Sequence, residues 1–168
     1  MTRDDFLNEE GVVQPIESDR AILGFFGKYR CLSNFHHAEF EHEGLTFTCS
    51  EAAYMAQKTL DMSIRRKFCT LSGAEAKSMG RRIALRPDWD RVRIHAMYGV
   101  LLSKFFQDVH SQLTLIGTGD KVLVEANWWG DTFWGQCDGV GQNHLGQILM
   151  TIRDFIVPKN PDEDSIRY

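Results

Sequence analysis

The stretch "FTCSEAAYMAQK" (residues 47–58) decides how the chain is read. It leaves a run of alternating residues and enters an alanine-rich segment, so it marks a passage from strand to helix. Thr48 or Ser50 can serve as N-cap, and Thr48-x-x-Glu51 has the spacing of a capping box. Glu51, Tyr54 and Lys58 follow at intervals of three and four residues, which aligns an acid, a phenol and an amine on one helix face. Ala52, Ala53, Met55 and Ala56 lie between them, and Gln57 is the only other polar residue, so two further faces look packed. A lysine on a packed helix is partly desolvated; its pKa falls, and the neutral amine is a nucleophile. The plain alternative is an ordinary helix with a solvated charged face, where such a pair contributes little.

Upstream, "AILGFF" (21–26) is apolar enough for a buried strand. "AEFEHEGLTFT" (38–48) alternates on both sides of His-Glu-Gly, which predicts a hairpin with His42 at its tip. Downstream come short helical pieces, "SIRRKFCTL" and then "SGAEAKSMGRR", the latter with a capping box at Ser72-x-x-Glu75 and Gly80 near its end. "RPDW" (86–89) opens the longest helix, 88–108, whose Val92, Ile94, Met97, Val100, Leu101 and Phe105 make it the central buried one. "SQLTLIGTG" is another helical piece, stopped at Gly117 or Gly119, and "KVLVEA" (121–126) is a short strand. "NHLGQILMTIRDFIV" is amphipathic, with Asn143 as N-cap, a buried stripe of Leu145, Ile148, Leu149, Ile152 and Phe155, and Pro158 as its stop. Residues 1–20 read as a loosely attached arm, 21–158 as the folded domain and 159–168 as a polar tail. The class is α+β: a helix-rich single domain with a few short β-strands.

A chain of 168 residues with 43% hydrophobic and 25% charged residues has the composition of an ordinary globular domain. A net charge of -4 argues against a generally basic nucleic-acid surface but leaves room for a local basic cleft. No apolar run is long enough to span a membrane, and "MTRDDFLNEEG" is too acidic for a signal peptide, so a cytoplasmic location is expected. Cys31, Cys49, Cys69 and Cys137 show no CxxC pairing and read as reduced thiols. His36, His37 and His42 alternate with glutamates along the hairpin in no zinc-binding spacing, so neither metal nor cofactor is expected.

Three further features suggest ligand chemistry, each beside a structural alternative. "NWWGDTFWGQCDGVGQNHLG" (127–146) combines tryptophan faces with glycines that let a backbone approach a ligand; it also fits a structural Ω-loop. In "FFGKYRCLSNF" (25–35), Asn34 can bond a ligand or merely hold a turn. Arg81, Arg82 and Arg86 can pair with phosphate or stand solvated.

Taken in order, these stretches resemble the NADAR family, whose YbiA members are N-glycosidases. The resemblance runs over residues 25–157: Leu32-Ser33-Asn34-Phe35, "SEAAYMAQK", Gly80-Arg81, "LRPDW", Lys104-Phe105 and Leu123-Val124-Glu125, then Asp131, Phe133-Trp134-Gly135, Gly141, Asn143, Leu145-Gly146, Leu149-Met150 and Arg153. Two positions depart from it. Many members carry His where this chain has Ala52, and Gly-x-Gly where it has Gly135-Gln136-Cys137.

The resemblance implies hydrolysis of the C–N bond between ribose and an exocyclic amine. Family substrates are similar to riboflavin-pathway ribosylamino-pyrimidine phosphates or to ADP-ribose on guanine in DNA. It also implies a lysine Schiff base with Lys58 as nucleophile, Glu51 as acid and base, and Asp131 as a third catalytic group. Asn34, Tyr54, Arg81 and Trp89 would meet the substrate, as would Trp134, Gly135, Asn143 and Gly146. The expected partner is a nucleotide-like or ADP-ribose-like small molecule, or ADP-ribosylated DNA. The competing expectation is a non-catalytic module that binds ADP-ribose or a nucleotide.

Overall fold

The computed structural model describes residues 1–157. Their elements run β1 (Ile16–Glu17), β2 (Ala21–Leu23), β3 (Phe40–His42), β4 (Leu45–Phe47), α1 (Ser50–Ala56), α2 (Met62–Arg66), α3 (Gly73–Gly80) and α4 (Trp89–Gln107), then α5 (Val109–Gly117), β5 (Val122–Val124), β6 (Ala126–Asn127), β7 (Gln136–Cys137) and α6 (His144–Ile156), with 3-10 turns at Arg3–Phe6 and Gly27–Leu32. The fold is α+β, one helix-rich domain with short strands. The expected polar tail, 159–168, and Pro158 lie outside the described residues.

The strands form three small sheets. β1 pairs antiparallel with β2, which pairs parallel with β5 in the register Ala21–Val122 to Leu23–Val124. β3 and β4 form the expected hairpin, and β6 and β7 pair in parallel. His42 is the last strand residue rather than the tip; the turn is Glu43-Gly44, both at positive φ. The continuous "KVLVEA" strand is instead split in two, with Glu125 at the break.

α4 crosses the middle of the domain through Met97, Val100, Leu101 and Phe105, against α1 and α6. Ile94 does not join this stripe. It lies one turn before Met97 and is 40% exposed. Phe155 likewise overhangs α6 at 67% exposure, and its ring meets that of Phe106, also exposed, at 6.0 Å. Each phenyl shields part of the other.

The arm is docked rather than loose. Phe6 is buried against Val124 and Ala126, with its ring 5.4 Å from Phe26 and 5.5 Å from Trp128. Burying one phenyl is worth roughly 1.5–3 kcal/mol, enough to hold a short segment that also pairs through β1.

Candidate active site

α1 is capped by a neighbouring loop rather than by its own threonine. The structural N-cap is Cys49, with no side-chain cap bond, and the Thr48 hydroxyl donates to the Leu71 carbonyl. The Glu51 amide instead donates to the Asn34 carbonyl at 2.9 Å. This ties the Ser33-Asn34-Phe35 loop to the first turn of α1. Lys104, fully buried on α4, holds the same loop from below: its Nζ donates to the Cys31 carbonyl at 2.6 Å and the Ser33 carbonyl at 3.4 Å. Asn34 Nδ2 reaches Met97 Sδ at 3.5 Å, while its buried Oδ1 has no partner among the described residues.

The opposite wall is built around Asn127, which is fully buried. Its Nδ2 donates to the Asp131 carbonyl at 2.8 Å and the Gln136 carbonyl at 3.1 Å, and its Oδ1 accepts the Asp131 amide at 3.0 Å. Asp131 Oδ1 in turn accepts the amides of Phe133 and Trp134 at 3.1 and 2.9 Å, which folds the loop back on itself. Gly135 then packs on the strand so closely that a Cβ there would stand 2.0 Å from the Glu125 carbonyl.

Between these walls lie two adjoining cavities. The inner one, about 150 Å³, is lined by Asn34, Glu51, Tyr54, Asp131 and Trp134 together with Met55 and Leu145. The outer one, about 500 Å³, is lined by Phe25, Phe26, Trp128 and Trp129 and by Arg30 and Arg81. Ser33, Phe35, Lys77 and Glu125 line both, so they form the junction.

The charges here are shifted by burial. Glu51 is 5% exposed, and desolvation pushes its carboxyl up to about 7 against the pull of Lys77 and Lys58. Desolvation, with the Asp131 charge beside it, pushes Glu125 up to about 8. The Glu125 residue keeps some exposed surface, yet its Oε2 sees no solvent and has no hydrogen-bond partner among the described residues. Burial raises the Tyr54 phenol and lowers the half-buried Lys58 amine, the latter opposed by Glu51. A carboxyl near neutrality beside a lysine depressed from its usual range is the pairing that proton transfer to and from an amine requires.

The NADAR domain model matches residues 24–157. This chain belongs to the NADAR family. It is 32% identical to N-glycosidase YbiA of Escherichia coli over 149 residues, 84% of this chain and 92% of that one. It is 34% identical to an N-glycosidase of Nostoc punctiforme over 135 residues, 76% of this chain and 86% of that one. A riboflavin biosynthesis protein of Vibrio vulnificus is 34% identical over 134 residues, 77% of this chain; the match spans only 36% of that longer protein. The NMR structure of E. coli YbiA superposes with a TM-score of 0.73 at 30% identity, covering 91% of each chain.

The NADAR motif residues divide into cavity and scaffold. Glu51, Asp131, Asn34, Tyr54 and Trp134 line the inner cavity, and Arg81 lines the outer one. Lys58 lines neither: its Nζ donates to the Gly80 carbonyl at 3.2 Å and lies 5.9 Å from the Trp89 ring centre. Trp89 is buried behind Tyr54, with rings 5.3 Å apart, and supports the site from outside the cavity.

Asn143 is also scaffold. Its Oδ1 accepts the Glu125 amide at 3.0 Å and its Nδ2 donates to the Leu123 carbonyl at 2.9 Å, so both polar ends serve the broken strand and neither caps α6. Gly146 permits that contact, since a Cβ there would stand 2.1 Å from the Leu123 carbonyl. The arginine trio separates as well: Arg86 is engaged by Asp88 at 2.6 Å, which leaves Arg81 as its member in the outer cavity. Ala52, in place of the common histidine, is fully buried in the core, and Cys137 pairs in β7.

Sequence reading missed Glu125 and Lys77 as parts of the site, and it offered the tryptophans of 127–146 as ligand faces without naming Trp128 and Trp129 among the site residues. In the sequence Glu125 ends an apolar strand and closes the Leu123-Val124-Glu125 motif, and neither gives it a place in the site. Among the described residues, no three His, Cys, Asp or Glu side chains are grouped to hold a metal ion, and no helix is long and apolar enough to cross a membrane.

Proposed function

We propose that this chain hydrolyses the C–N bond between a ribose and an exocyclic amine through an imine formed on Lys58. The coarse class, hydrolysis of an N-glycosyl bond, goes with the family and its N-glycosidase members. One observation carries the finer reading: Glu51 is buried on the floor of the inner cavity with its carboxyl near neutrality, and a partly desolvated lysine, Lys58, follows in the turn just after α1 ends at Ala56 rather than on the expected helix face.

A ribosylamine is suited to such a pair. The nitrogen lone pair expels the ring oxygen, and the sugar opens to an imine at C1. Glu51 removes the proton that Lys58 must lose, and the neutral amine adds to C1. The original amine then leaves as the lysine imine forms, and water releases the sugar and restores the lysine. Asp131, an acceptor facing the cavity, favours the cationic imine on the path. The Lys58 amine reaches C1 by leaving the Gly80 carbonyl, which its flexible stem allows. A second reading of the nucleophile is Lys77, because its side chain already lines both cavities.

The substrate under this reading is nucleotide-like: a ribosylamino-pyrimidine phosphate, or ADP-ribose joined to guanine. Incubation with each, followed by detection of the free amine and free sugar, tests it. Release from either supports the enzyme. Tight binding of both with no product would instead make the chain a binding module.

A further inference from the structure

Among the described residues, Glu125 is the one carboxyl that lines both cavities. Its backbone is already committed: the amide donates to Asn143 Oδ1 at 3.0 Å and the carbonyl accepts the Gln136 amide at 3.0 Å. Its side chain is held at the junction with Oε2 buried and unpartnered. A buried oxygen with no protein partner is costly unless a ligand supplies one.

The two cavities differ in what they can hold. A space of about 150 Å³ accepts a single six-membered ring, so the inner cavity suits one sugar and little more. The outer cavity has an aromatic wall in which Trp128 stacks on Phe26 at 5.5 Å and Trp129 meets Trp128 edge-on at 5.0 Å. Trp129 remains 49% exposed, an open indole beside a cavity rather than a core residue.

On the N-glycosidase reading above, we propose that Glu125 is the acid that protonates the departing amine, and that the outer cavity holds that amine's aromatic ring. With sugar within and ring without, the C–N bond spans the junction where Glu125 sits. The lysine lone pair forms the new C=N bond, the C–N electron pair goes to the departing nitrogen, and the Glu125 proton joins it there. The amine leaves neutral, and the Glu125 carboxylate regains a proton from water. The raised affinity of this carboxyl for its proton keeps it protonated, and so uncharged, for that step near neutral pH.

The test compares two ribosylamine 5-phosphates, one made from aniline and one from 4-nitroaniline, whose electron-poor amine departs with much less need of a proton from a strong acid. E125Q should lose on the order of 10²-fold or more in kcat/KM with the aniline substrate, and less than tenfold with the nitro substrate. Equal losses on both would overturn the acid role and leave Glu125 structural. The wild-type protein gives the same answer without mutation. Below the alkaline limb of its pH profile the two substrates should react alike, and above it the aniline substrate should fall behind tenfold or more. A constant ratio across pH overturns the proposal.

W129A, at an exposed position, should raise KM about ten- to a hundredfold for aromatic amines. It should leave KM for a methylamine-derived ribosylamine unchanged; equal effects on both would remove the ring from the outer cavity. If wild-type protein turns over none of these substrates, the N-glycosidase reading itself fails and takes Glu125's role with it.

Discussion

The Lys58 amine rests on the Gly80 carbonyl, 3.2 Å away, at the C-terminal end of α3, rather than in an ion pair with Glu51. Substitution of Lys58 therefore removes a single side-chain hydrogen bond, worth about 1 kcal/mol. Lys58→Ala should keep a nearly unchanged melting temperature and lose turnover altogether. Lys58→Arg should be equally inactive, because a guanidinium stays protonated and forms no imine. Thermal melts and steady-state kinetics on the two variants check both statements.

Glu51 should trade stability for activity. Burial pushes its carboxyl up to about 7 from the ordinary 4.5, so the native state retains a proton that the unfolded chain releases. Stability from this group is fully present below pH 4.5 and falls as pH rises toward 7. The loss is on the order of 3 kcal/mol. Glu51→Gln should abolish that loss, making the variant more stable than wild type at pH 8 and similar at pH 4. It should also cost on the order of 10²-fold in kcat. Urea unfolding at the two pH values, with kinetics alongside, separates this outcome from a helix-capping role, in which the variant would be less stable and fully active.

The pH profile of kcat/KM should be a narrow bell. The acid limb, near 7, belongs to Glu51, which must be ionised to accept a proton. The alkaline limb, near 8, belongs to Glu125, which must be protonated to give one. Asp131, Lys77, Lys58 and Arg81 face the first carboxyl; Asp131, Arg30, Lys77 and Glu51 face the second. Glu125→Gln should remove the alkaline limb and leave the acid limb in place.

Trp134 lines the inner cavity and meets the Tyr54 ring edge-on at 5.3 Å. Trp134→Ala should lower kcat/KM by one to two decades, the worth of a lost stacking face of roughly 1–3 kcal/mol. Because the indole is only half-buried, the stability cost should fall below the roughly 3–5 kcal/mol of a core tryptophan. Unfolding curves and kinetics on this variant measure both.

Local signals carried most of the fold. The Ser72 capping box forms as its spacing demands, with the Ser72 amide on Glu75 Oε2 at 2.8 Å. The α6 stripe through Leu145, Ile148, Leu149 and Ile152 is buried as its period requires. What the sequence hid depends on contacts between distant residues. The arm docks because Phe6 meets Phe26 and Trp128, and nothing near Phe6 in the chain announces that. Asn143 has the look of a helix cap, but its side chain is taken by Leu123 and Glu125, about twenty residues upstream. Glu125 itself ends an apolar strand and enters the site only because the strand breaks there.

The central claim is a covalent imine between sugar and Lys58, and borohydride trapping during turnover measures it directly. With a ribosylamino-pyrimidine phosphate present, reduction should fix one sugar-phosphate mass on the protein, and peptide mapping should place it on Lys58. Wild type should be inactivated in step with labelling, and Lys58→Ala should remain unlabelled. A sugar adduct on Lys77 instead, or full turnover with no trapped adduct at all, would contradict the account.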